Sequence, residues 1–521
     1  MLATVLSATL VALDGRVIRV EVDVAPGLPG FTIVGLGDAS IREARERVRG
    51  ALRNVGFVHP PRRITVNLAP ADVPKTGSAA DLAIAIGILI GSEQFTPRAG
   101  RAALIGEVSL GGEIRPVPGL LPMVAALARR GVRRVIVPAD GADEARLVDG
   151  LEVVAAASLV EAVDALRSRR HAAPTPPARV ELAPAAVALV ARPGPALAPP
   201  LPPPDLADVR GQVEARRALE VALAGGHGLL MIGPPGTGKT MLARTIPKLL
   251  PPLSDEDALS ATIVASAAGE GPMHGLVRTP PFRTPHHTSS YAAIVGGGPR
   301  LSPGEVTRAD NGVLFLDELA EFSRDVLEAL RQPLEDGRVS IVRAAGAVTL
   351  PARFQLVAAT NPCPCGHAGE DDRCICGESV PERYVGRISG PLRDRIDVWV
   401  TLARIRAAAM IDGAEPESSE VVADRIAAAR ARQLARPGGK LNSRIGGRAL
   451  RAVARLRPLT GDRLSELADA ERLSGRGTER LLRVARTVAD LAAAEAVEVD
   501  HLEEAARWRP PSSRPFMALA V

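Results

Sequence analysis

Two short runs carry the plainest chemistry in this chain. Residues 233–240 read GPPGTGKT, a G-x-x-x-x-G-K-[ST] spacing. Gly233, Gly236 and Gly238 let backbone N–H groups curl around phosphate oxygens, and a following helix adds its positive end. Pro234, Pro235 and Thr237 fill the loop. Lys239 would reach the β- and γ-phosphates, and Thr240 would ligate Mg²⁺. The strand-like GLLMI precedes the loop and the apolar-periodic TMLARTI follows it. A Gly/Pro turn that merely opens a helix is the plainer reading, but it leaves the Lys-Thr pair at this offset unexplained. Residues 312–319, GVLFLDEL, form an apolar run ending in two acids. Asp317 would join the Mg²⁺ shell, and Glu318 would orient and deprotonate an attacking water. Capping of the next helix, AEFSRDVLEAL, is the alternative role for those acids.

The four cysteines, Cys363, Cys365, Cys374 and Cys376, lie directly after a strand, FQLVAAT, that ends at Asn361. C-x-C…C-x-C offers four thiolates in one loop, enough for a closed tetrahedral Zn²⁺ site. Unliganded thiols are the alternative, and His367 could replace one ligand. His286 and His287 are adjacent, so in a strand they point to opposite faces and do not share one ion. Arg283, Thr284, Thr288 and Ser289 around them would meet phosphates, or the segment is a packed loop. Arg393 and Arg395 stand just before the strand-like run DVWV, and Arg476 opens the helical stretch GRGTERLLRVARTVADL.

The elements that must position these groups follow from composition and punctuation. A length of 521 residues suggests about three domains. With 46% hydrophobic but only 2% aromatic residues, the cores must be Ala/Val/Leu/Ile, as in helices and parallel sheets. The net charge of +5 is too mild to establish a nucleic-acid partner by itself. The longest apolar run, LAIAIGILIG, is too short to span a bilayer, and MLATVLSATLVALDG lacks a basic leader, so a cytoplasmic protein without a membrane partner is expected. Eleven prolines between 174 and 204 mark a linker, because proline blocks both helix and sheet. The expected plan is an α+β domain at 1–170, a Pro/Ala-rich linker at 171–204, an α/β core at 205–400 and a helical lid at 401–510.

These motifs together resemble the AAA+ family, and within it the magnesium-chelatase-like branch that includes the ComM/YifB group. GEVTRADNGVLFLDELAEF, EDGRVSIVRAAGAVTLPARF, AATNPCPCG, FRTPHHTSSYAAIVGGG, VGLGDASIREARERVRGALRNVGF and ITVNLAPADVPKTGSAADLAIAIGIL carry the likeness over nearly the whole length. The resemblance implies a P-loop AAA+ core with a parallel sheet and a C-terminal helical lid. It implies ATP and Mg²⁺ as cofactors, Asn361 reading the water or γ-phosphate, Arg395 as an arginine finger and Arg476 as a lid arginine. ComM-group members are homo-hexameric helicases that drive branch migration of DNA in natural transformation, so branched or single-stranded DNA and recombination proteins are the implied partners. A magnesium-chelatase motor subunit and a protein-remodelling ring are the alternatives. The N-terminal region resembles the Lon-protease-like, ribosomal S5-like fold. Ser78 stands where a nucleophile would be and Met123 where its activating lysine would be. A thioether cannot take a proton, so a non-proteolytic domain is expected.

Overall fold

The computed structural model describes residues 1–35, 37–97, 102–167, 202–298, 301–343, 346–369, 373–404 and 416–509. Of the expected linker, 171–201 lies outside the described residues.

The N-terminal unit is a mixed seven-stranded sheet. Strands β1 (Leu2–Val11) and β2 (Asp14–Ala25) form an antiparallel hairpin. Then come β3 (Gly30–Val34), helix α1 (Ala39–Asn54), β4 (Arg63–Ala69), α2 (Asp81–Gly91), β5 (Ala103–Leu104), α3 (Leu120–Arg129), β6 (Arg134–Pro138) and β7 (Glu152–Ala156). The sheet order is β3-β4-β2-β1-β5-β6-β7. Side chains alternate across it, as a period of two requires. Ile136 faces the core shared with α1 and α2, while Val135 and Val137 face the core shared with α3. The Asp38 carboxylate caps α1 by accepting the Ile41 N–H at 3.1 Å. Gly87 lets α2 lie against β2, because a Cβ there would stand 2.5 Å from Val22 Cγ2.

The core begins with α4 (Val213–Gly225) and β8 (Leu229–Ile232), followed by α5 (Lys239–Arg244) and α6 (Asp255–Ala268). Strands β9 (Phe282–Arg283), β10 (Val313–Leu316), β11 (Arg338–Arg343), β12 (Gly346–Pro351), β13 (Gln355–Thr360) and β14 (Val398–Thr401) complete it. Five strands form a parallel sheet of order β9-β10-β13-β8-β14. β8, β10 and nearly all of β13 are buried apolar runs, which is how a sheet covered on both faces reads in sequence. Ile232 pairs with Thr360 and Thr401, so the carboxyl ends of β8, β13 and β14 align at one edge. β11 and β12 pair antiparallel, and residues 344–345 between them lie outside the described residues.

The lid comprises α7 (Ser419–Leu434), α8 (Gly447–Ala454), α9 (Pro458–Ala470), α10 (Gly475–Leu491) and α11 (Val499–Arg507). It shares one apolar cluster with α4 and with one face of the sheet. Buried His227, just before β8, ties core to lid: Nδ1 lies 2.9 Å from Asp397 and Nε2 lies 2.8 Å from Thr487 Oγ1.

The two α/β units are docked on one another, not joined by the linker alone. Ala12, at the tip of the β1–β2 hairpin, is buried in the core cluster that holds Leu230, Ile232 and Leu316. The buried Glu144 carboxylate accepts the Leu121 N–H at 2.9 Å, the Ser266 hydroxyl at 2.6 Å and the Met273 N–H at 3.2 Å. Its partners thus come from α3 on one side and from α6 and the segment after it on the other. Removing it strands the Ser266 hydroxyl and the Met273 N–H, and leaves the Leu121 N–H only a 3.4 Å bond to Ser266 Oγ. Glu144→Ala should therefore cost about 2–3 kcal/mol and bring forward the first calorimetric unfolding transition. An unchanged transition would contradict the clamp.

Candidate active site

The phosphate loop leaves β8 at the aligned edge. Gly233 must be glycine because a Cβ would stand 2.4 Å from the Leu402 carbonyl oxygen. Gly236 and Gly238 have φ of +80° and +89°, the left-handed region that other residues rarely adopt. Thr237 Oγ1 donates to the Pro234 carbonyl at 2.9 Å, closing the loop on itself. Gln212 latches it from outside, donating to the Thr237 carbonyl at 3.1 Å and the Ala403 carbonyl at 2.8 Å. No periodicity or charge pattern in the sequence marks Gln212 for that role.

Lys239 is buried at the first position of α5. Its Nζ donates to the carbonyls of Gly233 at 2.6 Å and Pro234 at 2.9 Å, and to Asn361 Oδ1 at 3.2 Å. Burial pushes the ammonium down to about 8, against the opposing pull of the Asp317 and Glu318 carboxylates. Thr240 Oγ1 donates to Asp317 Oδ2 at 2.7 Å, so the two expected Mg²⁺ ligands already touch. A hydroxyl and a carboxylate are the hard oxygen donors that Mg²⁺ takes.

Glu318 adopts φ +54°, a left-handed conformation uncommon for a residue with a Cβ and found at functional turns. Its carboxylate is half exposed, 2.9 Å from His287 Nδ1. His287 in turn has the His286 ring at 4.2 Å and the Phe322 ring edge-on at 6.5 Å. Chemistry at Glu318 thus has a histidine neighbour that sequence reading missed: the pair lies in a turn beyond β9 and not in a strand, so the two rings stand side by side instead of on opposite faces. Arg283 does not stand free for phosphates: it pairs with Glu305 at 2.8 Å and Glu270 at 3.1 Å.

The two arginines lie elsewhere. The Arg395 carbonyl oxygen would be 2.9 Å from a Cβ on Gly228, the residue just before β8. Arg395 therefore sits at the opposite end of β8 from Lys239, across four strand residues or about 13 Å. Its guanidinium donates to Glu335 and, at 2.7 Å, to the Pro391 carbonyl. Arg393 packs over the Trp399 ring at 5.7 Å. On α10, Arg480 donates to the Asp394 carbonyl at 2.8 Å, next door to Arg395. Arg476 lies one helical turn before Arg480, exposed and with no hydrogen-bond or ion-pair partner among the described residues. Lys239, Thr240, Asp317, Glu318 and Asn361 are thus gathered at one edge, and Arg395 and Arg476 at the other.

The four thiols converge. Cys363 Sγ lies 3.3 Å from that of Cys365 and 3.9 Å from that of Cys374, and Cys365 lies 3.7 Å from Cys374. All four sulfurs, Cys376 included, lie within 4.8 Å of one another. Burial pushes Cys363 up to about 12. At Cys365 burial acts in the same direction, but N–H groups of His367 and Ile375 and its thiol neighbours outweigh it and hold it down at about 6. In the N-terminal unit, Met123 is fully buried, and the Ser78 hydroxyl has Glu107 as its one hydrogen-bond partner among the described residues. The lysine near it in sequence, Lys75, donates to the Pro70 carbonyl.

A pH dependence follows from Lys239. Bound phosphates favour the ammonium, so its pKa must rise on binding, and above pH 8 binding takes up a proton. Affinity for a non-hydrolysed ATP analogue should be full near pH 7 and about tenfold weaker at pH 9.5 than at pH 8. Titration calorimetry across that range checks it; a flat profile would contradict the buried-ammonium account.

Residues 205–410 match the family described as magnesium chelatase, subunit ChlI. Residues 20–141 match the description subunit ChlI of Mg-chelatase, and 416–509 its C-terminal part. The uncharacterised YifB protein of Escherichia coli is 42% identical over 498 residues, 94% of each chain. The competence protein ComM of Haemophilus influenzae is 39% identical over 512 residues, 98% of this chain and 97% of that one. Lon protease 2 of Bacillus subtilis is 30% identical over 120 residues, 23% of this chain and 21% of its own. The phosphate-loop sheet, the helical lid and these full-length likenesses agree: the chain belongs to the magnesium-chelatase-like AAA+ family, in the group whose relatives carry the names ComM and YifB.

Proposed function

We propose that this protein is an ATP-hydrolysing ring motor, a cytoplasmic homo-hexamer that moves branched or single-stranded DNA in homologous recombination and natural transformation, as a ComM-like helicase. One observation carries the assembly part of this reading. The groups for binding phosphate and activating water sit at one edge of the sheet, and the two arginines sit at the other. A single chain cannot bring both to one nucleotide, but head-to-tail packing brings the arginine edge of one protomer to the phosphate edge of the next. Such an interface uses two different surfaces, and it closes as a ring when the rotation permits.

Within each composite site, Lys239 exchanges its carbonyl partners for the β- and γ-phosphates. Thr240 and Asp317 would hold Mg²⁺, which would supply neutralising charge for those oxygens. Glu318 takes a proton from the attacking water and Asn361 orients the γ-phosphate. Arg395 of a neighbour leaves Glu335 to meet the developing charge, a contact worth roughly a thousand- to a hundred-thousand-fold in rate. Arg476 of the same neighbour, exposed on the lid, approaches those phosphates as well. The four-thiol cluster supplies a structural Zn²⁺ site. DNA as the track is supported by the near-full-length likeness to ComM; binding to its backbone should weaken steeply with salt.

Co-expression tests the shared site. Lys239→Ala and Arg395→Ala should each abolish turnover, while mixed rings of the two regain measurable ATPase, because some interfaces then hold both intact partners. Forked DNA should raise turnover by the intact protein and be unwound by it, whereas Glu318→Gln should bind ATP and assemble but do neither. A fully active Arg395→Ala protein, or mixed rings as inert as their parents, would contradict the proposal.

A further inference from the structure

The four-cysteine loop lies against the phosphate loop, and two independent features connect them. The first is a direct contact. Gly366 has φ +86°, and a Cβ on it would stand 2.7 Å from both Cδ and Cγ of Pro235. Gly366 closes the turn that carries the first two cysteines, its N–H donating to the Cys363 carbonyl at 3.0 Å. The second is chain continuity. Asn361, whose Oδ1 accepts from Lys239 at 3.2 Å, is two residues from Cys363. The same turn therefore touches the phosphate loop from outside and extends from the residue that touches its lysine from inside.

The thiols join the far half of this loop, with Cys374 and Cys376, to the turn that carries Cys363 and Cys365. Among the described residues, 361–379 contain no helix or strand. Ile375 is 90% exposed, while its neighbours Cys374 and Cys376 turn inward to the cluster. The sulfur spacing fits one ion. Zn–S bonds of about 2.3 Å in a tetrahedron put sulfurs about 3.8 Å apart, and the separations among Cys363, Cys365 and Cys374 are 3.3, 3.7 and 3.9 Å. A disulfide would need about 2.05 Å. An iron–sulfur cluster ligates its thiolates through different irons and spreads them farther apart. The Ala368 N–H donates to Cys363 Sγ at 3.2 Å, the kind of outer hydrogen bond that steadies a metal thiolate.

Resting on the reading of the cluster as a zinc site, we propose that the ion braces the phosphate loop: zinc in the four thiolates fixes the Gly366 turn against Pro235 and Asn361 against Lys239, so that metal occupancy sets nucleotide affinity. The far half of the loop is tied to the turn through the ion. Without it, the turn is free to leave Pro235, and the phosphate loop loses the surface that limits its outward movement.

The test uses the full-length protein and three preparations: zinc-loaded, stripped with a chelator, and reloaded. Elemental analysis should find one zinc per chain. Cobalt in its place should give the sulfur-to-metal charge-transfer bands of a tetrahedral thiolate site. Affinity for ATPγS should fall at least about tenfold on stripping and return on reloading, while the circular dichroism spectrum stays that of the folded chain. Gly366→Ala should keep its zinc and still bind ATPγS more weakly, since its new methyl must displace Pro235. Purified protein without metal would overturn the zinc reading itself. Bound zinc whose removal leaves affinity unchanged, a Gly366→Ala protein of wild-type affinity, or stripping that unfolds the entire chain would each overturn the brace and leave the motor reading standing.

Discussion

Four residues of buried strand separate the phosphate-loop residues from Arg395 and Arg476. Parallel pairing of β8 with β13 and β14 aligns their carboxyl ends, so the phosphate loop and Asn361 emerge together, with Asp317 and Glu318 following β10 in the same sheet. The same pairing sends the segment before β14 to the other end, where Arg395 lies against Gly228. About 13 Å of backbone cannot be crossed by a guanidinium already engaged with Glu335 and the Pro391 carbonyl. The lid makes the same division. His227 and Asp394 fasten α10 to the arginine edge, which carries Arg476 there too. A sheet one strand-length deep thus keeps the two groups apart within one chain, and it is on this separation that the proposed dependence of hydrolysis on assembly rests.

Much of the site was legible because its parts are local. The glycines, Lys239 and Thr240 fall within eight consecutive residues, and their spacing is dictated by the size of a phosphate chain. Asp317, Glu318 and Asn361 each follow an apolar run, and in a parallel sheet every such run ends at the same edge. The cysteines were legible as a cluster, and their convergence follows from two C-x-C pairs in one loop. What was illegible depends on contacts between distant segments. His287 meets Glu318 from a turn beyond β9, where no strand or helix period applies. Gln212 latches the phosphate loop from a helix start that carries no motif.

The N-terminal unit shows the same limit on a larger scale. The proline-rich stretch was legible as a boundary, and boundary composition suggests domains joined by a tether. Yet the tip of the first hairpin is buried among core residues, and one carboxylate, Glu144, gathers donors from both units. Nothing in the periodicity of a short helix announces that its glutamate will be buried. α6 and the segment after it, which leads on to His286 and His287, are thereby anchored to the N-terminal unit. The Ser78 hydroxyl is bonded to Glu107, and Met123 is buried in the apolar core.

The central claim is that a protomer's nucleotide is completed by its neighbour. The most direct measurement is the structure of the assembled protein with ATPγS, Mg²⁺ and forked DNA by electron cryomicroscopy. The account predicts a closed ring in which each Arg395 has left Glu335 and its guanidinium lies within hydrogen-bonding distance of the γ-phosphate bound to the adjacent protomer's Lys239. Arg395 still paired with Glu335 at every occupied site, or a nucleotide fully enclosed by one chain, would contradict it.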